Sequence, residues 1–160
     1  MKGFHKSAPL FLLFLLTACT LGQSIAQSSP LPATNKPVNV STAIPTLKNL
    51  AFNKTVTASG QTEQEPPNNA VDGNPETSWN AGGESPQWIQ IDLGAPATIS
   101  SLRLSVAQYP AGETTHQIFA GASLADLNLV HEFSGITSDM QILELVPNEA
   151  LSGIQFIKVL

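Results

Sequence analysis

The sequence predicts an all-β protein, a sandwich or barrel of short strands. Apolar and polar residues alternate in several segments, for example in residues 101–106, where Leu102, Leu104 and Val106 are separated by polar residues. Turn-forming clusters such as Gly94-Ala95-Pro96 lie between these segments. Short alternating strands divided by turn residues at this spacing are typical of sandwiches and barrels with one face of each strand buried.

Seven strands are predicted in order along the chain. In the second, Ile89, Ile91 and Leu93 alternate with polar residues, which predicts a half-buried strand that Gly94 ends. The last is apolar and no turn follows it, so we expect an open sheet edge beside it. The predicted strands are residues 54–58, 88–93, 99–106, 116–120, 129–133, 142–146 and 154–160.

The N-terminus, residues 1–19, has the pattern of an export signal. Lys2 and Lys6 precede an apolar run over residues 9–16, which is shorter than the ~20 residues that cross a bilayer. The run ends in Leu16-Thr17-Ala18-Cys19, which resembles a bacterial lipobox, so Cys19 is the predicted lipidated residue and membrane anchor. The alternative is an ordinary secretory signal cut after Ser24-Ile25-Ala26.

Residues 20–46 are rich in Ser, Thr, Gln and Pro and predict a disordered tether between signal and domain. A flexible chain of this length would hold the domain on the order of 30 Å from a membrane. The folded domain is therefore expected to comprise residues 47–160.

Composition narrows the classes of partner. Charged residues make up 12% of the chain and the net charge is -5, whereas globular domains average ~25% charged residues. Nucleic-acid binding requires a basic stripe, and the sequence also lacks a Gly-rich phosphate loop. We therefore expect no nucleic-acid partner.

Oxygen donors and turn formers are concentrated in residues 67–79. The dipeptides Asp72-Gly73 and Asn74-Pro75 are turn signals that fold the backbone back beside the Asp72 carboxylate and the Thr77 hydroxyl. A hard cation such as Ca²⁺ takes about six to eight oxygen ligands, including backbone carbonyls. The alternative is a structural turn without metal, in which Asp72 and Asn74 cap backbone amides.

This loop, with its Asn69-Ala70-Val71-Asp72-Gly73-Asn74 core, is followed by Gln87-Trp88-Ile89-Gln90-Ile91-Asp92-Leu93-Gly94. Together the two motifs resemble the discoidin family, that is, coagulation factor type C domains and the family 32 carbohydrate-binding modules. Asn49-Leu50-Ala51 with Thr57-Ala58-Ser59, and the later segment 110–116, extend the resemblance. It implies an eight-stranded jelly-roll β-sandwich of the galactose-binding type. Family members continue with a closing strand that carries a Glu, so we expect a truncated domain without its C-terminal strand.

The resemblance also implies a structural calcium site. Its ligands would be the Asn69 and Asn74 carbonyls, the Asp72 carboxylate, and Thr77 through its carbonyl and hydroxyl. The absent C-terminal Glu is a further ligand in the family, so the site is expected to be weak or incomplete. Its role would be to hold a loop rather than to catalyse.

Four residues are candidates for ligand binding because they are predicted to lie in or beside loops. Sugar sites combine an apolar platform with convergent polar groups. Tyr109 can supply the platform, and Glu84, Arg103 and His116 can supply hydrogen bonds to hydroxyls. For each residue alone, ordinary solvent exposure is the alternative, and His116 can instead hold its own loop.

Trp79 and Trp88 are predicted to brace the core, because both lie inside the family motif. An aromatic side chain of this size buries ~150–250 Å². The alternative is a platform on which a sugar ring stacks.

The function predicted from these features is non-catalytic carbohydrate binding by a module on a membrane-anchored lipoprotein of the bacterial cell envelope. The sequence contains neither a His-Glu-x-x-His motif nor a nucleophile elbow, so no catalytic motif indicates an enzyme. The alternatives are an adhesion module for protein or lipid headgroups, and an accessory domain of a lost or unseen hydrolase.

Overall fold

The structure is a computed structural model that describes residues 12–18 and 47–160. Within these residues the chain forms nine strands and two short 3₁₀ helices. The 3₁₀ helices are Pro67–Ala70 and Leu124–Asp126. The strands are β1 Leu12–Ala18, β2 Lys48–Asn49, β3 Thr55–Ala58, β4 Ile89–Ile99, β5 Ser101–Val106, β6 Gly112–Gly121, β7 Asn128–Thr137, β8 Gln141–Leu145 and β9 Leu151–Val159.

The strands form two antiparallel sheets. One has five strands in the order β3-β4-β9-β6-β7, and the other has four in the order β2-β1-β5-β8. The chain passes from the first sheet to the second at Ser100, between β4 and β5. The predicted all-β, antiparallel sandwich is therefore confirmed, and the count of nine strands includes the two-residue β2.

The core lies between the two sheets and is built by the predicted alternation. Ile89 and Ile91 of β4 and Leu102 and Leu104 of β5 are at most 1% exposed. Each fully buried aliphatic side chain contributes about 1.5–3 kcal/mol relative to exposure. Other core residues are Ala51, Ala70, Val71, Trp79, Leu93, Ile99, Ile118, Ala120, Ile157 and Val159.

Strand β4 does not end at Gly94, so this prediction is wrong. The strand continues through Gly94-Ala95-Pro96 to Ile99, and its pairing with β9 shifts register between Asp92 and Ala97. Gly94 has a φ of 82°, a conformation that costs glycine little. Pro96, which has no N–H, lies within the register shift, where a missing ladder donor is tolerated.

The expected open edge beside the C-terminal strand is also not observed. Strand β9 lies inside the five-stranded sheet, with β4 on one side and β6 on the other. Its apolar residues include Ile157 and Val159, which are buried in the core. A strand with a partner on each side and one face in the core needs no polar edge protection.

Residues 12–18 form a strand, although the sequence analysis placed them outside the folded domain. Strand β1 lies inside the four-stranded sheet between β2 and β5. The other predictions for residues 1–46, namely the rest of the export signal, Cys19 and the tether, lie outside the described residues. None of the helices in the described ranges is long and apolar enough to span a bilayer.

One titratable side chain, His116 of β6, is buried with the core residues. It is 1% exposed, and Ile118 and Ala120 follow it on the same face of the strand. Within the described residues, neither ring nitrogen has a hydrogen-bond partner. Burial lowers the pKa of His116 below its ordinary value, because desolvation disfavours the imidazolium form.

The buried His116 predicts a pH-dependent stability. Below about pH 6.5 the unfolded chain binds a proton at this histidine that the folded chain resists, so the free energy of unfolding should fall as the pH falls. We expect His116→Leu to remove part of this dependence between about pH 7 and pH 5 in urea unfolding experiments. The matched control is His131→Leu, which should retain it. An unchanged pH slope in His116→Leu would contradict the assignment.

Candidate functional site

A groove of about 720 Å³ lies at one end of the five-stranded sheet, between residues 80–87 and strands β6 and β7. Strand β9 reaches β6 at Ile118, and Leu160 exchanges backbone hydrogen bonds with Gln117. Residues 112–116 of β6 continue beyond this point, paired with β7. The groove, which we call the sheet-end groove, is lined by residues 80, 81, 83, 85–87, 108, 113–117, 134, 135 and 160.

The opposite wall of the groove, residues 80–87, is anchored to the domain at its N-terminal end by hydrogen bonds of Trp79 and Asn80. The indole Nε1–H of the fully buried Trp79 donates to the Gly60 carbonyl at 2.9 Å. Asn80 donates through its backbone N–H to the Glu65 carbonyl at 3.1 Å and through its side chain to Glu65 Oε2 at 2.9 Å. These bonds fix where the wall begins, so its position does not depend on the loop alone.

Within the wall, the Gln87 amide organises the turn. Gln87 Nε2 donates to the Glu84 carbonyl at 2.6 Å, and its Oε1 accepts a short hydrogen bond from Ser59. A Cβ at Gly83 would lie 2.8 Å from Gln87 Nε2, so a side chain there would displace the Gln87 amide from this position. Hydrogen bonds at Asn80 and at Gln87 therefore fix both ends of the wall loop.

The groove's own polar groups include several with capacity to bind a ligand. Thr115 Oγ1 lies 3.4 Å from Ser134 Oγ at the β6–β7 wall, a weak contact that leaves both hydroxyls able to bind elsewhere. Glu113 is exposed and is the only acidic side chain in the lining, which contains no Lys or Arg. His116 lies beneath the same groove, where its side chain is buried in the core and both ring nitrogens are unpartnered among the described residues.

The four predicted ligand-binding residues do not form one cluster. His116 lies beneath the groove, inside strand β6 rather than in a loop. Glu84 belongs to the wall turn, and Tyr109 is 79% exposed next to the lining residue Gln108. Arg103 lies on β5 of the other sheet, where its Nε forms an ion pair with Glu144 Oε1 at 2.7 Å.

Sequence reasoning missed the main groove residues, which are Gln108, Glu113, Thr115, Gln117 and Ser134. Glu113 and Thr115 belong to a segment that was singled out in the sequence, but the segment was interpreted as a loop that ends at His116. The structure begins strand β6 at Gly112. Residues 113–116 are all polar in the sequence, so no apolar alternation indicated this part of the strand.

The two tryptophans have different roles. Trp79 is fully buried in the core, as predicted. Trp88 is half-buried and is not part of the core cluster. Lys158 Nζ lies 4.7 Å from the centroid of its ring, within the range of a cation–π interaction.

The predicted calcium loop closes on itself through its oxygen donors. Asp72 Oδ1 accepts from the Asn74 backbone N–H at 2.8 Å, and Asp72 Oδ2 accepts from the Thr77 hydroxyl at 2.7 Å. The Thr77 hydroxyl also lies 2.9 Å from the Asn74 carbonyl. Asn69 is bound at the side of the loop, where its side-chain amide donates to the Ser78 carbonyl at 3.0 Å.

The donor set fits a hard cation by chemistry, because the Thr77 hydroxyl oxygen lies within 2.9 Å of both the Asp72 carboxylate and the Asn74 carbonyl. The same contacts also satisfy the alternative of a structural turn, in which Asp72 and Asn74 cap backbone amides. Asp72 is the only carboxylate among the four predicted ligands. In the described residues no group of three or more His, Cys, Asp and Glu side chains is placed to hold a metal.

Comparison with known proteins gives a family match and a set of similar structures. Residues 55–122 match the F5/8 type C domain. This range contains the predicted calcium loop, the groove wall and all of β6. No curated protein matches the chain.

Three of the similar solved structures are bacterial carbohydrate-binding modules. The first is the family 32 module of NanJ from C. perfringens in complex with galactose (22% identity, 67% of this chain, 80% of that chain, TM-score 0.56). The second is a chitosan-binding module from a chitosanase/glucanase of Paenibacillus sp. IK-5 (27% identity, 70% of this chain, 84% of that chain, TM-score 0.57). The third is a family 32 module from Clostridium perfringens in complex with GlcNAc-α-1,4-galactose (20% identity, 70% of this chain, 76% of that chain, TM-score 0.57).

The two kinds of match agree on one region and one fold. The family match covers the loop and strand motifs on which the sequence resemblance depends. The structural matches cover about two thirds of the chain. The resemblance is therefore confirmed: residues 55–122 match the F5/8 type C, or discoidin, domain, and the protein has the β-sandwich fold of family 32 carbohydrate-binding modules.

Proposed function

We propose that this protein binds carbohydrate, without catalysis, in the sheet-end groove. The observation that carries the proposal is the set of accessible polar groups in this groove, namely the exposed Glu113 carboxylate and the weakly paired Thr115 and Ser134 hydroxyls. A sugar hydroxyl both donates and accepts, so it can bind a carboxylate or a side-chain hydroxyl.

The comparisons support a carbohydrate-binding domain. The chitosan-binding module is 27% identical and covers most of the same fold, and the other two modules hold galactose or a GlcNAc-galactose disaccharide. Some similar structures are parts of larger enzymes, such as one that joins a family 32 module to alginate lyase domains. Because proteins with one fold bind many different ligands, the class of sugar has to be inferred from the residues that line the groove.

The groove favours neutral or amino sugars over acidic sugars. Glu113 is its one acidic side chain, and Lys and Arg are absent from the lining. A uronate or sialate carboxylate would meet Glu113 with like charge, whereas a glucosamine ammonium would be attracted to it. The exposed Tyr109 ring next to Gln108 provides an apolar face on which a sugar ring can stack.

Glu113→Gln tests the sugar class. It keeps the size of the side chain and removes its charge, so affinity for chitosan oligosaccharides should fall about tenfold to hundredfold, the loss expected for a hydrogen bond to a charged group. Affinity for galactose should fall less. Isothermal titration calorimetry with chitosan, galactose and alginate oligosaccharides would measure both.

The matched control is Glu149→Gln, which removes an exposed carboxylate outside the groove lining. It should leave all affinities unchanged. If the folded wild-type protein bound none of the sugars, carbohydrate binding would be contradicted and an adhesion role toward protein or lipid headgroups would be favoured. Equal losses of sugar affinity in Glu113→Gln and Glu149→Gln would contradict the groove as the binding site.

A calcium ion held by Asn69, Asp72, Asn74 and Thr77 is the second part of the proposal. The convergence of the Asp72, Asn74 and Thr77 oxygens supports it. Bound there, the ion would neutralise the Asp72 carboxylate and rigidify the loop that ends at the buried Trp79. The wall of the groove begins directly after Trp79, so the loop helps to position it.

Asp72→Asn tests the calcium site. In wild type, calcium should raise the melting temperature by mass action, since the ion binds the folded state. Asp72→Asn should lose this rise, while its melting temperature in chelator changes less. Asp126→Asn, at an exposed carboxylate bound by Ser123, is the control. A wild-type melting temperature that calcium does not alter would leave the structural turn as the explanation.

The third part of the proposal is a lipid anchor at Cys19, which would place the module on the cell envelope. The lipobox pattern of residues 16–19 supports it. Two or more acyl chains hold a protein stably on a membrane, whereas one binds marginally. Cys19→Ser should move the protein from the membrane to the soluble fraction of cells. Retention of Cys19→Ser on membranes would contradict the anchor.

A further inference from the structure

The outer face of the five-stranded sheet carries a patch of apolar side chains. Residues that alternate with the core residues of β4, β6 and β9 lie on this face. The outer-face patch consists of Trp88, Phe119, Leu129, Phe156 and Leu160, none of which belongs to the core cluster. Leu129 is 51% exposed and the other four are half-buried. The solvent face of an antiparallel sheet is normally polar, so an apolar patch there indicates a contact surface.

Phe119 lies at the centre of this surface. It pairs with Lys158 of β9 on one side and with Leu129 of β7 on the other. Directly opposed residues share one face of a sheet, with Cβ atoms about 4.5–5.5 Å apart. Gln117, two residues earlier on β6, pairs with Glu132 of β7. The face therefore carries a cation and a carboxylate on opposite sides of β6.

Neither of these two charges has an ion-pair partner within the described residues. Lys158 Nζ lies 4.7 Å from the centroid of the Trp88 ring, and Glu132 Oε2 accepts from Gln117 Nε2 at 2.8 Å. Lys158 and Glu132 are two strands and two residues apart. Strand spacings of about 4.8 Å and a rise of about 3.4 Å per residue then separate their Cα atoms by about 12 Å. One chain therefore does not pair them with each other.

Two-fold symmetry makes the two charges complementary. Two copies can face each other across an axis that lies between the faces and bisects the line from Lys158 to Glu132. Each lysine then lies opposite the glutamate of the other copy. Phe119 is close to the midpoint of that line, so Phe119 and Leu129 pack near the axis against the same residues of the second copy. An isologous interface requires a patch that is complementary to itself in this way.

We propose that the outer face of the five-stranded sheet is the interface of a homodimer, held by two Lys158–Glu132 ion pairs around an apolar centre at Phe119. A different protein would have to supply both opposite charges at the matching spacing, whereas a second copy supplies them by symmetry alone. Interfaces of small area form weak and transient complexes. We therefore expect a monomer–dimer equilibrium that depends on protein concentration and weakens as salt is raised.

Charge reversal tests this interface in the full 160-residue chain. Analytical ultracentrifugation over a range of concentrations measures the dissociation constant of the dimer. Lys158→Glu or Glu132→Lys alone brings like charges together twice in each dimer, so either should raise the dissociation constant about tenfold or more. The double variant Lys158→Glu/Glu132→Lys restores two opposite pairs and should recover the wild-type value. This recovery cannot come from misfolding of a single variant.

Matched controls make the same charge changes elsewhere. Lys48→Glu changes an exposed lysine of the other sheet, and Glu149→Lys changes an exposed glutamate between β8 and β9. Both should leave the dissociation constant within about twofold of wild type, since surface charges far from an interface are screened. Leu129→Ser keeps the charges and removes an apolar contact, so it should weaken the dimer. Thermal unfolding by circular dichroism checks that each variant is folded.

Two outcomes would overturn the proposal. The first is a wild-type chain that stays monomeric up to about 1 mM. The second is a dimer that the single reversals do not weaken, or that the double reversal does not recover. The experiment uses no sugar, calcium or membrane. Failure of the dimer would therefore leave the proposed carbohydrate function standing, and failure of that function would leave the dimer standing.

Discussion

The pairing of β9 with both β4 and β6 is the interaction on which the rest of the structure depends. It joins the β3–β4 pair to the β6–β7 pair and so makes one five-stranded sheet. Its register brings Val159 opposite both Ile89 and Ile118, which are all buried in the core. The sheet-end groove lies beside this pairing, and both Gln117 and Leu160 line it.

Buried polar contacts then set the positions of the loops around that groove. Trp79 fills the core with its ring and fixes the Gly60 carbonyl with its indole N–H. The carboxylate of Glu65 accepts from Asn80 and from Ser78 on either side of that tryptophan. The calcium loop and the groove wall are therefore adjacent segments held by one network, so a change in one loop can reach the other through a few hydrogen bonds.

Much of the fold was predictable because alternation is a local property. The strands around Ile91 and Leu104 are predicted from period-2 patterns, and both are present in the structure. Their boundaries differ from the prediction, because β4 continues to Ile99 and β5 begins at Ser101. The glycine and the proline that normally end a strand are accommodated in β4 by a register shift with β9. Such a shift depends on the partner strand, which local sequence does not contain.

The site was less predictable. His116 was identified, but as a loop residue, and Arg103 was grouped with it although β5 belongs to the other sheet. Thr115 and Ser134 meet across β6 and β7 with a sequence separation that no motif spans. Whether polar residues on different strands converge depends on strand order and length, and these are set by pairing between distant segments.

The sequence by itself determined the strand alternation, the discoidin motifs and the oxygen-rich loop, because each depends on residues close together in the chain. Only the tertiary structure decided that β9 is an interior strand, that Leu12–Ala18 completes the second sheet, and that the groove lies beside the pairing of β9 with β6. The physical reason is that backbone hydrogen bonds between strands are sequence-independent in chemistry. Burial of the whole core, rather than any local signal, selects which strands pair.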